Sequence, residues 1–272
     1  MRGMMKWALT LGAGWAALSV PASANHSWGG YHWARTANPV TVQLGDNVNS
    51  VWDSYLVQAQ KDWNQSTVIE SPVVPGTANP RNCRGVAGTI QVCNSTYGNT
   101  GWLGIASISI TGGTHITQGT VKLNDTYFNS AQYNTPAWRR MVSCQEVGHA
   151  YGLDHQDTNF NNYNLGTCMD YTNAPAGGVV GGFDYGPSNE YPNAHDYDEL
   201  NTIYSHLDST TTVAFRSNAA GAFGDPGDTP REWGKAIHFD GKGRPDTFMR
   251  VDGPGLMTLT HVFWALETPP MR

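Results

Sequence analysis

An α+β fold is predicted from three observations. Val51, Tyr55, Leu56, Ala59 and Trp63 recur at helical spacing, so 50–65 reads as an amphipathic helix, with Ser50 and Asp53 resembling its cap. Thr135-Pro136 has the form of an N-cap and first helical residue, and Trp138, Met141, Val142 and Gln145 carry a second helix to about Tyr151, where Gly152 stops it. Separate β-like runs stand at Pro39–Leu44, Thr89–Cys93, Ile105–Ile110 and Thr120–Asn124.

The remaining elements follow in order. Ser71 to Gly85 is a Pro/Gly/Asn-rich loop, and 157–194 is a long irregular segment of Asn, Gly, Tyr and Pro. Asp196-x-x-Glu199 resembles a capping arrangement, after which Leu200, Ile203, Tyr204 and Leu207 mark a last helix. Ser209 to Pro230 is a linker, and 231–272 forms a small β-rich C-terminal extension, with Asp240-Gly241 as a hairpin turn.

Charged residues make up only 14% of the 272, against about 25% in a typical domain. With 39% hydrophobic residues the chain can build a core, so global disorder is excluded. The net charge is −6 and no basic run exists, which disfavours nucleic acid as a partner.

Residues 1–24 read as a secretory signal peptide. Arg2 and Lys6 supply the positive start, Trp7 to Val20 the apolar stretch, and Ala22-Ser23-Ala24 the small residues before cleavage. Trp7 to Val20 falls short of the ~20 residues a membrane span needs. The expected location is therefore secreted, extracellular or periplasmic, with no membrane span after removal of the leader and a monomeric state.

Export makes the cysteines readable. Cys83, Cys93, Cys144 and Cys168 allow two disulfides in three pairings. Cys83–Cys93 closes a short loop and is preferred; the other bridge would then be Cys144–Cys168. No C-x-x-C pair exists, which argues against a cysteine zinc site.

The stretch Gln145-Glu146-Val147-Gly148-His149-Ala150-Tyr151-Gly152-Leu153-Asp154-His155 carries the chemistry. Positions 145 and 149 lie one helical turn apart and point from the same face. Gly152 lets the chain leave the helix sharply, so that His155 can return to the same metal. Glu146 lies beside that face, placed to move a proton between a metal-bound water and a leaving amine.

This stretch resembles the metzincin signature H-E-x-x-H-x-x-G-x-x-H, most like that of the matrixins, the matrix-metalloproteinase-type peptidases. Every position fits except the first, where Gln145 replaces a histidine. Thr167-Cys168-Met169-Asp170-Tyr171 is similar to the family's Met-turn, with Met169 beneath the metal. The resemblance spans about Trp33 to Leu207 and implies a metzincin-like catalytic domain over 25–208. That domain would have a twisted mixed sheet, two long helices and a C-terminal helix. It also places Ile116–Asn124 as the edge strand bordering the cleft, and a Cys144–Cys168 bridge as a pin between the active-site helix and the Met-turn.

By resemblance the chain is a secreted zinc-dependent endopeptidase acting on protein or peptide substrates. His149, His155 and Gln145 would be the metal residues, Glu146 the catalytic acid and base, and Tyr171 an oxyanion or pocket residue. An amide oxygen is a poorer zinc donor than an imidazole, so Gln145 ligates weakly, a water fills its place, or the metal is lost. The competing reading is a non-catalytic secreted binding protein on the same fold. Substitute ligands near the motif are Asp157, Asp154, His115 and His195; His26, His32, His206, His238 and His261 have no metal spacing and receive no role. Calcium is a further candidate, because matrixins commonly bind it and Asp157, Asp170, Asp184, Asp196 and Asp198 fall near loops. Asn64, Asn94 and Asn124 head glycosylation sequons.

Overall fold

The computed structural model describes residues 26–213 and 225–266; the leader expected at 1–24 and part of the 209–230 linker lie outside them. The described residues form strands β1 (His32–Trp33), β2 (Val40–Thr41), β3 (Gln43–Asn47), β4 (Ile69–Glu70), β5 (Val73–Pro75), β6 (Thr89–Ser95), β7 (Trp102–Thr111), β8 (His115–Asn124), β9 (Val179–Val180), β10 (Phe183–Asp184), β11 (Lys235–Phe239), β12 (Pro245–Gly253) and β13 (Leu256–Trp264). The helices are α1 (Asp53–Trp63), α2 (Asp125–Phe128), α3 (Pro136–His149), α4 (Ala194–Ile203) and α5 (Pro230–Trp233).

The class is α+β. One twisted mixed sheet runs β11-β12-β13-β7-β8-β6-β3-β5, with β1 parallel to β8. The strands β5, β3, β6 and β8 are mutually parallel, whereas β7, β13, β12 and β11 add antiparallel. Ile116–Asn124 is therefore not an edge strand. β8 lies inside the sheet between β6 and β7, hydrogen-bonded on both sides. The β-rich C-terminal extension is continuous with the sheet, since β13 pairs with β7 from Leu256↔Thr111 to Trp264↔Trp102.

Local chemistry explains the helix limits. Thr135 caps α3 by accepting from the Trp138 N–H, and Pro136 takes the first turn, where a missing N–H leaves nothing unpaired. α1 begins at Asp53 after Trp52, and the expected Ser50 cap does not form; Asn49 Oδ1 instead accepts from the Val51 N–H. α4 starts earlier than expected. Asn193 is its cap, and Asp196 is the third helical residue, reaching back to the Asn193 N–H in a capping box. The helix ends at Ile203, so Leu207 lies outside it and is exposed. The loop expected at 71–85 contributes β5, which pairs parallel with β3.

α3 packs on the sheet beside α1, and the Trp63 indole N–H donates to Cys144 O at 2.9 Å to hold the helices together. Gly148 makes this approach possible: a Cβ there would lie 2.5 Å from the Trp63 ring and 2.8 Å from Met169 Sδ. Strand alternation divides β13 between two cores. Leu259 and Phe263 join the main core under the helices, while Val262 and Trp264 join Trp102, Ile105, Trp233 and Phe248 on the opposite side. His261 belongs to the Leu259–Phe263 face, register-paired with Ala106. Both disulfides have the preferred pairing, Cys83–Cys93 and Cys144–Cys168. Among the described residues no helix is long and apolar enough to cross a membrane.

Candidate metal centre

α3 delivers Gln145, Glu146 and His149, all fully buried. The chain then turns at Gly152, whose φ of +100° suits glycine and whose Cβ would stand 2.0 Å from Tyr31 O, so no side chain fits there. This turn brings His155 back, and the His149 and His155 Nε2 atoms meet at 3.0 Å. A third imidazole arrives from the far end of the sequence: His149, His155 and His261 offer ligand atoms that all lie within 4.8 Å of one another.

Hydrogen bonds fix the rings. His149 Nδ1 faces Leu153 O at 2.8 Å, and a carbonyl only accepts, so that nitrogen carries the proton. His155 Nδ1 faces Asp154 Oδ1 at 3.4 Å. The His149 Nε2 lone pair therefore faces His155 Nε2 at 3.0 Å, and the two nitrogens are close enough to share one cation. His261 lies under Tyr171, whose hydroxyl is 2.8 Å from Nε2, and its Nδ1 is 3.3 Å from Glu146 Oε2. Trp28 stacks on His149 at 4.9 Å and covers the cluster.

Burial dominates the electrostatics of the cluster. Burial pushes the Glu146 carboxyl well above its ordinary range, and Oε1 has no hydrogen-bond partner. Burial, then the neighbouring imidazoles, hold His149 and His261 well below the usual imidazole value, which leaves them in the neutral form that binds metal. Burial alone would raise Asp154, but its hydrogen bonds and charge contacts with His155 hold it well below the ordinary carboxylate range. The donor set of His149, His155 and His261, with Glu146 beside it, fits a divalent cation.

Gln145 stands on α3 one turn before His149. Its Nε2 donates to Cys168 O at 2.6 Å, tying α3 to the turn at 167–171, while Oε1 has no hydrogen-bond partner. Met169 is buried against Gly148, one residue before His149. Asp157 is spent on Asn159 N and Asn162 Nδ2, and His195 stacks on His26 at 4.9 Å. His115 lies beside Asp208 at 3.3 Å. Among the described residues no group of three of the loop aspartates converges, so the structure lends calcium no support. Asn94 and Asn124, two of the sequon asparagines, are buried with their amides engaged.

His261 escaped the sequence reading because its role depends on strand register rather than local spacing. A signal was present nonetheless. In Leu259-Thr260-His261-Val262-Phe263 alternation puts one imidazole between two large apolar residues on a single face. The histidine cluster is nearly closed, with His155 the least buried of the three at 8%. A cleft lined by Trp28, Tyr31, Asp154, His238, Met249 and Leu259 opens beside it.

No protein-family model matches the chain, and no curated protein does. Among solved structures it is similar to high choriolytic enzyme 1, a hatching-enzyme zinc protease from the medaka fish Oryzias latipes. The identity is 14%, the match covers 65% of this chain and 96% of that one, and the TM-score is 0.36. A second is myroilysin, at 14% identity, 64% and 96% coverage and a TM-score of 0.34.

Proposed function

We propose that the protein is a secreted zinc-dependent endopeptidase, metzincin-like over 25–208, whose metal is held by His149, His155 and His261. The observation that carries this reading is the convergence of these three imidazoles with Glu146 beside them. A bound zinc would supply Lewis-acid polarisation of the scissile carbonyl and of a water. Glu146 would accept a proton on its unpartnered Oε1 and deliver it to the leaving amine. Asp154 and the Leu153 carbonyl orient the two motif imidazoles, Tyr171 positions His261, and Met169 with Gln145 braces the helix from below in a Met-turn. Two formed disulfides suit an oxidising compartment, in keeping with the leader read at 1–24.

One observation favours a second reading. β13 already occupies the edge of β7, and Glu146 is wholly buried between α3 and Gly104, where a Cβ would stand 2.6 Å from Oε1. That closure suits a metal-bearing binding protein without turnover. The discriminating experiment incubates the zinc-loaded mature chain with an unfolded protein substrate, with and without chelator, beside Glu146→Gln. Cleavage that stops with chelator and is lost in Glu146→Gln, while zinc remains bound, supports the peptidase. Full zinc with no cleavage supports the binding protein.

A further inference from the structure

We propose that His32, His115, His206 and Asp208 form a second site for a divalent transition-metal cation of zinc type. The three residues His32, His206 and Asp208 offer ligand atoms within 4.8 Å of one another. All three imidazoles direct Nε2 at one atom, Asp208 Oδ1, from 3.4 Å (His32), 3.3 Å (His115) and 3.6 Å (His206). Zn–N and Zn–O bonds of about 2.0–2.1 Å place neighbouring donors roughly 3.4 Å apart around a tetrahedral ion. The three distances to Asp208 Oδ1 are of that size.

The rings and the carboxylate are each held in place by further contacts. His32 Nδ1 lies 2.8 Å from Gly30 O, which fixes the ring, and Nε2 lies 3.4 Å from Asp208 Oδ1. Three rings also crowd one oxygen while the other is occupied elsewhere: Asp208 Oδ2 accepts from the Arg35 N–H at 3.0 Å and from Arg35 Nη1 at 3.1 Å. Arg35 also donates to the His206 carbonyl. The carboxylate is thus locked with Oδ1 forward, and His32 has the anchored Nδ1 seen in metal-ligating histidines.

The fold supplies these residues from separate places. His32 and His115 are register partners in the parallel β1–β8 pair, so their side chains share a face. His206 and Asp208 follow α4. His32 is buried, Asp208 is half-buried and His206 is exposed, so an ion can enter from solvent. A cation here would staple the N-terminal strand to the segment after the last helix. The ligands are all distinct from those of the His149 cluster, and the inference does not depend on the function of that cluster.

The test measures zinc per chain by elemental mass spectrometry after loading and dialysis of the full mature chain, with cobalt(II) as a visible-absorption probe of tetrahedral geometry. Two zinc ions are expected for the natural chain, and one each for His206→Ala, His115→Ala and His155→Ala. Zinc affinity at this site should fall at least ~10-fold in His206→Ala. Zinc should raise the melting temperature of His155→Ala but not of the His155→Ala/His206→Ala pair. Unchanged stoichiometry in both His206→Ala and His115→Ala overturns the site, as does a single zinc that disappears in His155→Ala. One zinc kept in His155→Ala but lost in His206→Ala would uphold this site while removing the metal from the proposed catalytic centre. His206 is an exposed position, so its substitution leaves the fold in place, and circular dichroism checks this.

Discussion

His261 Nδ1 lies 3.3 Å from Glu146 Oε2, although 115 positions separate the two residues in the chain. The contact crosses the interface between α3 and the sheet, and it exists because β13 pairs with β7 in a register that sets His261 beside Ala106. A long-range strand pairing thus completes a centre whose other residues come from one local motif.

His261→Ala should abolish zinc binding at the His149 cluster, while Gln145→Ala should leave it in place. The Gln145 amide holds Cys168 O, and leaving that buried carbonyl without a donor costs about 1–3 kcal/mol. Gln145→Ala should therefore melt at a lower temperature with unchanged zinc stoichiometry. Zinc loss in Gln145→Ala together with retention in His261→Ala would reverse the assignment. Zinc titration of both variants with a chromophoric competitor decides it.

Asp170 gives a pH dependence of stability independent of any metal ligand. Burial pushes its carboxyl up to about 7, although Leu165 N and Asn189 Nδ2 both donate to it. Between about pH 4 and 7 the folded chain holds a proton that the unfolded chain releases. Stability from this residue is therefore highest below the ordinary carboxylate range, falls as pH rises toward 7, and levels off above it. Asp170→Asn keeps one acceptor oxygen and should flatten that slope in denaturant titrations at pH 4.5 and 7.5. An unaltered slope would mean that Asp170 ionises normally in the fold.

Removing the Cys144–Cys168 bridge should weaken metal binding as well as the fold. The bridge spans 24 positions and joins α3 to the turn holding Met169, beside the Gln145–Cys168 hydrogen bond. Loop-closure entropy for that separation corresponds to about 3 kcal/mol. The Cys144→Ser/Cys168→Ser pair should lose stability on that scale and bind zinc less tightly, because the base under His149 is no longer fixed. Calorimetry and zinc titration on the same sample separate the two effects.

Much of this architecture was legible in the sequence because it is locally encoded. Thr135-Pro136 and Gly152 bracket α3, and the spacing of His149 and His155 follows from one helix and one turn. Features that depend on distant partners were not legible. Ser50 is a reasonable cap by type, but Trp52 takes the N-cap position without a side-chain cap, and its indole is held by Asp125 Oδ1 at 2.8 Å. Ile116–Asn124 resembles an edge strand in the sequence, because nothing local announces that β7 and then β13 line up beside it. His32 and His206 lacked motif spacing for the same reason: one sits on β1 and the other beyond α4.

The dependence of the centre on strand pairing gives the most demanding prediction. Trp233 is buried on the face of the sheet opposite the helices, packed on Phe248 at 5.1 Å and Trp264 at 6.2 Å. These contacts clamp β12 and β13 against β7 from the side away from the His149 cluster. Trp233→Ala removes a large core side chain and should cost about 3–5 kcal/mol. The loss falls on the strand pairing that carries His261, so zinc affinity should drop more than tenfold although Trp233 belongs to neither histidine cluster. Hydrogen exchange should report the same change as faster exchange at β13 amides, with α3 less affected. A destabilised Trp233→Ala that binds zinc as tightly as the natural chain would show that His261 holds its place without the hairpin clamp, and that the sheet extension is not what positions the third imidazole.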